Sequence, residues 1–162
     1  MASNFERMIQ LAGEVFAAHN DPTQLDVDEE VMEKLERLHP ATLSDYDEGA
    51  GPVVWILLIP TTISLMNQFI RGEISETELL NNTPVNIKYE AIYLCSALVL
   101  PEYRHKGLAT KVGLDAIHQI RANNPIEYLF TWSFSKEGAS LAQLAAKTEG
   151  LKLLERPARI KE

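Results

Sequence analysis

From Lys88 to Leu154 the chain alternates between two hydrophobic periods, and that alternation constrains its fold more than any other feature. Lys88 to Leu100 is an apolar run ending at Pro101, as a buried strand does. Residues 107–122 then put Leu108, Val112, Ala116, Ile117 and Ile120 on one stripe at helical spacing. Asn123-Asn124-Pro125 reads as a turn, Ile126 to Phe134 as a second strand, and Ala139 to Thr148 as a helix closed by Gly150. Leu151 to Leu154 is a third strand. Strand–helix–strand–helix–strand order predicts an α/β sheet with at least one right-handed crossover.

The first half is mostly helical by the same reasoning. Phe5, Met8, Ile9, Ala12, Val15 and Phe16 share one helical face, and His19-Asn20 ends that helix. Asp21-Pro22 reads as an N-cap with proline at the first helical position. The helix it opens runs to about Leu38, with Val31, Leu35 and Leu38 on one side. Glu30–Lys34 and Glu33–Arg37 support its wet face, and Pro40 marks its end. Residues 41–51 are rich in Asp, Ser and Gly and predict a loop. Val53 to Ile59 predicts a buried strand that Pro60-Thr61-Thr62 stops, leaving a hydroxyl to cap the next helix. That helix carries Ile63, Met66, Phe69 and Ile70 and closes at Gly72. Ser75 with Glu78 is a capping box for a short helix through Leu80, followed by a turn at Asn81-Asn82-Thr83-Pro84. The simplest organisation is one domain over 1–162.

Composition narrows the function classes. A chain of 162 residues can bury about 69% of its unfolded surface, enough for a core without staples. The single cysteine, Cys95, excludes an intramolecular disulfide and a cysteine-rich zinc site. His19, His39, His105 and His118 lack metal-ligand spacing, so no metal is expected. Fifteen cations against 23 acids leave a net charge of −8, which argues against a generally basic nucleic-acid surface. No apolar run approaches the ~20 residues of a membrane span, and the first residues carry an acid rather than a signal-peptide core. These features predict a cytoplasmic protein without a nucleic-acid or membrane partner, with a homodimer left open.

The chemistry concentrates at the junction after the long strand. There the strand end feeds a helix start, which brings free N–H groups and a positive helix end together. Gly107 permits close backbone approach, small Ala109 leaves the first turn uncrowded, and Arg104, His105 and Lys106 cluster positive charge in an acidic chain. Such a junction is an anion site with phosphate as its natural guest. Neither the Walker spacing nor Gly-x-Gly-x-x-Gly is present.

Arg104-His105-Lys106-Gly107-Leu108-Ala109 resembles the Arg/Gln-x-x-Gly-x-Gly/Ala signature of the GNAT superfamily of acyl-CoA-dependent N-acyltransferases. Val99-Leu100-Pro101 and the following amphipathic helix are similar to that family's motif A, and the strand–helix–Gly150-Leu151 stretch to its motif B. The likeness covers about residues 86–155, leaving 1–85 as an acceptor-side part. It implies a mixed, mostly antiparallel central sheet with splayed central strands, flanked by helices. It further implies acetyl-CoA as acyl donor, an amine on a small molecule or peptide as acceptor, and direct transfer without a covalent acyl-enzyme. By position, the amides of His105, Lys106, Gly107, Leu108 and Ala109 would hold the coenzyme diphosphate, with Arg104 and Thr110 beside them. Leu98, Val99 and Leu100 would lie along pantetheine, and a strand N–H would polarise the thioester. Ser135, which caps the motif-B helix, joins the coenzyme set, with Ser133 and Ser140 beside it.

The chain departs from the family twice. The tyrosine often found late in the motif-B helix, as a general acid, corresponds here to Ala146. The antiparallel meander usual before the motif-A strand is replaced by the helical pattern of Thr61 to Leu80. For acid–base work the candidates are Tyr93, which is also an ordinary packing residue, and Glu90 at the strand start. Period-two spacing groups Tyr93, Cys95, Ala97 and Val99 on one face, and Glu90, Ile92, Leu94, Ser96 and Leu98 on the other. Cys95 reads as a small buried hydrophobe without an activating partner, and Asp45-Tyr46-Asp47-Glu48 as a solvated acidic stretch near the acceptor side. A non-catalytic acyl-CoA sensor and a coenzyme-free α/β protein are the competing readings.

Overall fold

The computed structural model describes residues 3–19, 29–132 and 136–157. Its first half comprises α1 (Asn4–His19), α2 (Glu29–Leu38), β1 (Leu43–Asp47), β2 (Pro52–Thr61), α3 (Ile63–Ile70) and α4 (Glu76–Asn82). The second half is β3 (Ala91–Val99), α5 (Leu108–Arg121), β4 (Tyr128–Thr131), α6 (Lys136–Glu149) and β5 (Lys152–Glu155). The five strands form one sheet in the order β1-β2-β3-β4-β5. The two long ladders, β1–β2 and β2–β3, are antiparallel, and the short β3–β4 and β4–β5 ladders are parallel. The fold is thus an α/β sheet, as the alternation predicts, and it is mixed, open and flanked by helices, as the family resemblance implies.

Local chemistry explains most boundaries. The hydroxyls of Ser3, Thr62 and Ser75 accept N–H bonds from Glu6, Leu65 and Glu78, so α1, α3 and α4 each start on a side-chain cap. Glu78 returns the bond to the Ser75 N–H at 3.1 Å, completing the capping box. At the end of α6, Gly150 has φ +69°, Leu151 N–H reaches the Ala146 carbonyl at 2.9 Å, and Gly150 N–H reaches Lys147 at 3.3 Å. That is a Schellman stop, which the left-handed glycine makes affordable.

Several boundaries differ from the sequence expectation. Residues 43–47 form β1 rather than loop; this is an edge strand, where exposed Asp45 and Asp47 suit the solvent side of the sheet. Pro60 does not stop β2, which runs on to Thr61 and is the longest strand at ten residues. The Pro60 nitrogen faces away from β3, on the side where β1 has already ended at the Leu43–Leu57 pair, so no ladder bond is lost. Strand β3 starts at Ala91 rather than Lys88, and Asn81 and Asn82 belong to α4 rather than to a turn. Strand β4 is described over Tyr128–Thr131 only, since 133–135 lie outside the described residues, as does the Asp21-Pro22 cap. Glu30–Lys34 and Glu33–Arg37 do not close as ion pairs among the described residues.

The core sits on both faces of β2, β3 and β4. On one face Phe69, Tyr93 and Phe130 are fully buried, with ring centroids 4.8 Å (Phe69–Tyr93) and 5.1 Å (Tyr93–Phe130) apart. Each such pair adds about 0.5–1.5 kcal/mol beyond area burial. Val112, Ala116, Ile117 and Ile120 of α5 are buried too, as their stripe requires. Arg121 of α5 donates to the Glu149 carbonyl of α6 at 2.9 Å, joining the two crossover helices.

Candidate functional site

The β3–β4 ladder ends at the Leu94–Thr131 pair, whereas β3 continues to Val99 along β2. The residues that would carry β4 further, 133–135, lie outside the described residues. Within β3 there is a bulge: Leu57 pairs with Ser96 and Leu58 with Leu94, so Cys95 is the extra residue. The bulge corrects the expected faces of β3. Tyr93 pairs with Ile59, Ser96 with Leu57 and Leu98 with Trp55, so Ser96 and Leu98 join the Tyr93 face. Ala97 and Val99 move to the Leu94 face.

The ladder also sorts the backbone groups. Leu100 N–H bonds to Val53 of β2 at 3.0 Å, and by alternation Leu98 also faces β2. The backbones of Ala97 and Val99 face away from β2. Of the three residues expected along pantetheine, only Val99 therefore turns its main chain away from β2. Its carbonyl accepts a 3.1 Å bond from Arg104 Nε, which ties the following loop to the strand.

Pro101–Tyr103 forms a 3₁₀ turn, after which His105 (φ +63°) and Gly107 (φ +74°) both adopt left-handed backbone. Gly107 is the N-cap of α5 and supplies no side-chain acceptor. The first helical bond comes only from Lys111 N–H to the Gly107 carbonyl, at 3.0 Å. The N–H groups of His105 through Thr110 thus find no acceptor among the described residues. The loop is exposed from Arg104 to Gly107, a Cβ on Gly107 would meet nothing within 4 Å, and Lys106 Nζ lies 5.4 Å from the Tyr103 ring centroid. Backbone N–H groups and the positive end of α5 thus meet in one exposed turn.

On the Tyr93 face lies a residue that sequence reasoning missed. Glu76, in the first turn of α4, is 2% exposed, and the Tyr93 hydroxyl donates to its Oε2 at 2.5 Å. The Cys95 thiol is 3.7 Å from the same oxygen. Arg156, beyond β5, donates to the Ile74 carbonyl at 3.1 Å and lies 3.9 Å above the Trp132 ring and 4.7 Å above Phe69.

Glu90 is elsewhere. It precedes β3, its N–H reaches the Thr61 carbonyl at 3.0 Å, and it belongs to the face opposite Tyr93. About nine residues, or roughly 30 Å of strand, separate it from the loop. Ser140 is exposed on α6, while Ser133 and Ser135 lie outside the described residues. Ala146 is buried at 5% exposure. Asp47 of the acidic stretch accepts N–H bonds from Gly49 and Gly51 at 2.6 and 3.1 Å, closing the β1–β2 turn. No described helix is long and apolar enough to cross a membrane.

No family model, curated protein or solved structure matches this chain.

Proposed function

We propose that the protein transfers an acyl group from acetyl-CoA to an amine by direct attack in a ternary complex. The observation that carries this reading is the run of N–H groups from His105 to Thr110 that find no acceptor among the described residues, at the start of the helix that follows β3. A diphosphate would satisfy those amides, and the pantetheine arm would run along β3. Arg104, Lys106 and Thr110 add side chains around the loop. The Ala97 and Val99 backbones, which face away from β2, would offer donors toward the thioester oxygen. A free alkylamine has a pKa of about 10 and must lose a proton to attack, so the site also needs a base.

A second reading, a coenzyme-binding sensor without turnover, is favoured by Ala146, which puts no acid at the position of the family tyrosine. Thiol release from acetyl-CoA over a panel of small and peptide amines separates the two. Acceptor-dependent release supports transfer. Tight acetyl-CoA binding with no release across the panel supports the sensor, and absence of binding removes both.

A further inference from the structure

Between Val99 and Thr110 the chain carries one acid, Glu102, ahead of the cations Arg104 and Lys106. It is exposed, in the Pro101–Tyr103 turn that leads into the loop. A bare carboxylate there repels any phosphate the loop holds, over a range that salt limits to about 10 Å. Arg7 removes that charge. From α1, 95 residues away in sequence, its Nη2 donates to both Glu102 oxygens at 2.7 and 2.8 Å. This bond holds the Glu102 carboxyl below its usual range, so the pair is ionised at neutral pH and its charges cancel. Helix α1 has other attachments: Met8 is fully buried in the core, the Phe5 and Trp55 ring centroids are 5.9 Å apart, and Asn4 Nδ2 reaches the Gly51 carbonyl at 3.4 Å. Docking of α1 therefore does not depend on the pair, and an exposed ion pair adds little to stability.

We propose, resting on the coenzyme reading above, that Arg7 is a positioning residue for the acyl-CoA diphosphate and acts through Glu102. With Arg7 in place, the loop offers its amides and cations to the phosphates with no opposing charge in the preceding turn. Without it, the Glu102 carboxylate faces them bare. Tyr103, the next residue of that turn, lies near Lys106, whose Nζ is 5.4 Å from the ring centroid, so the turn that Arg7 neutralises also carries one of the loop's cations. Helix α1 thereby serves the coenzyme, although the family likeness puts residues 1–85 on the acceptor side.

The test titrates acetyl-CoA by calorimetry into wild type, Arg7→Gln, Glu102→Gln and the double variant Arg7→Gln/Glu102→Gln, in about 20 mM and about 500 mM salt. Melting curves accompany it, and the two side chains are 35% and 51% exposed, so each variant is expected to fold. At low salt Arg7→Gln is expected to bind roughly fivefold more weakly than wild type, and Glu102→Gln at least as tightly. The double variant should return to within about twofold of wild type, and at high salt the Arg7→Gln loss should shrink to about twofold or less. A counter-charge is restored by removing the opposing acid, whereas a mere tether of α1 is not. The proposal is overturned by an Arg7→Gln protein that binds like wild type at low salt, by a double variant as weak as Arg7→Gln, by a Glu102→Gln protein that binds more weakly, or by a loss that salt leaves unchanged. Wild type that binds no acetyl-CoA in either salt contradicts the coenzyme reading itself, and the role of Arg7 falls with it.

Discussion

Arg104 Nε donates to the carbonyl of Val99 at 3.1 Å, so the loop that would hold a diphosphate is fastened to the strand that would flank pantetheine. The bond sets the loop's approach angle, and lysine cannot reproduce it with a planar fork. Arg104→Lys keeps the charge and loses the geometry. We expect acetyl-CoA affinity to fall roughly 3- to 10-fold by calorimetry, about 0.7–1.4 kcal/mol, with little change in melting temperature. Equal affinity in the two proteins would show that the bond does not shape the loop.

Tyr93 and Glu76 are 17 residues apart in sequence and joined by a 2.5 Å bond inside the aromatic core. Tyr93→Phe keeps the ring packing and removes a donor from a buried carboxyl group. A cost of about 2 kcal/mol follows, read in urea denaturation or as a melting point lowered by roughly 4–8 °C. A shift under about 1 °C contradicts a structural role for the pair.

That separation in sequence also explains which features were legible. Helix faces, the Ser75–Glu78 box and the Gly150 stop depend on neighbours within one turn, and each was readable as a spacing. Strand β1 was not, because an edge strand keeps Asp45 and Asp47 on its wet side and so has a loop's composition. Pro60 was misread because its effect depends on which edge of β2 it faces, and that is decided by where β1 ends. The Cys95 bulge adds one residue and reverses every face beyond it, which no period-two count can detect. Glu76 was not singled out, because its partners come from a distant strand. The strand–helix junction was legible because Pro101, Gly107 and the helical stripe are contiguous.

The Schellman stop at Gly150 gives a clean stability test. A Cβ there would meet nothing within 4 Å, so Gly150→Ala pays only for the left-handed backbone at φ +69°. The expected cost is about 1 kcal/mol, a melting shift of roughly 2–4 °C, with Gly150→Asn milder. A neutral or stabilising Ala would contradict the left-handed stop.

Arg7 on α1 forms bonds of 2.7 and 2.8 Å to the Glu102 carboxylate beside the loop. The hydrogen bond from Arg7, with the turn's own backbone bond second, holds the Glu102 carboxyl below the usual range. A carboxyl depressed in the folded state stabilises fully above its unfolded value and loses that contribution as pH falls through the folded one. Wild type should therefore melt slightly above Glu102→Gln at neutral pH, and the difference should vanish below about pH 4. The pair is exposed, so added salt should shrink it as well. A difference that grows on acidification would contradict the link.

The account turns on whether the amides after Pro101 hold a diphosphate. Gly107→Glu tests this directly, because a Cβ there meets nothing within 4 Å while the carboxylate would stand where the phosphates would sit. Calorimetric titration of acetyl-CoA into wild type and Gly107→Glu should give saturable binding in the first and at least about 100-fold weaker binding in the second, roughly 2.7 kcal/mol. Both proteins should stay folded, with the variant melting only a few degrees lower. Equal affinity in the two proteins, or none in wild type, would contradict the assignment.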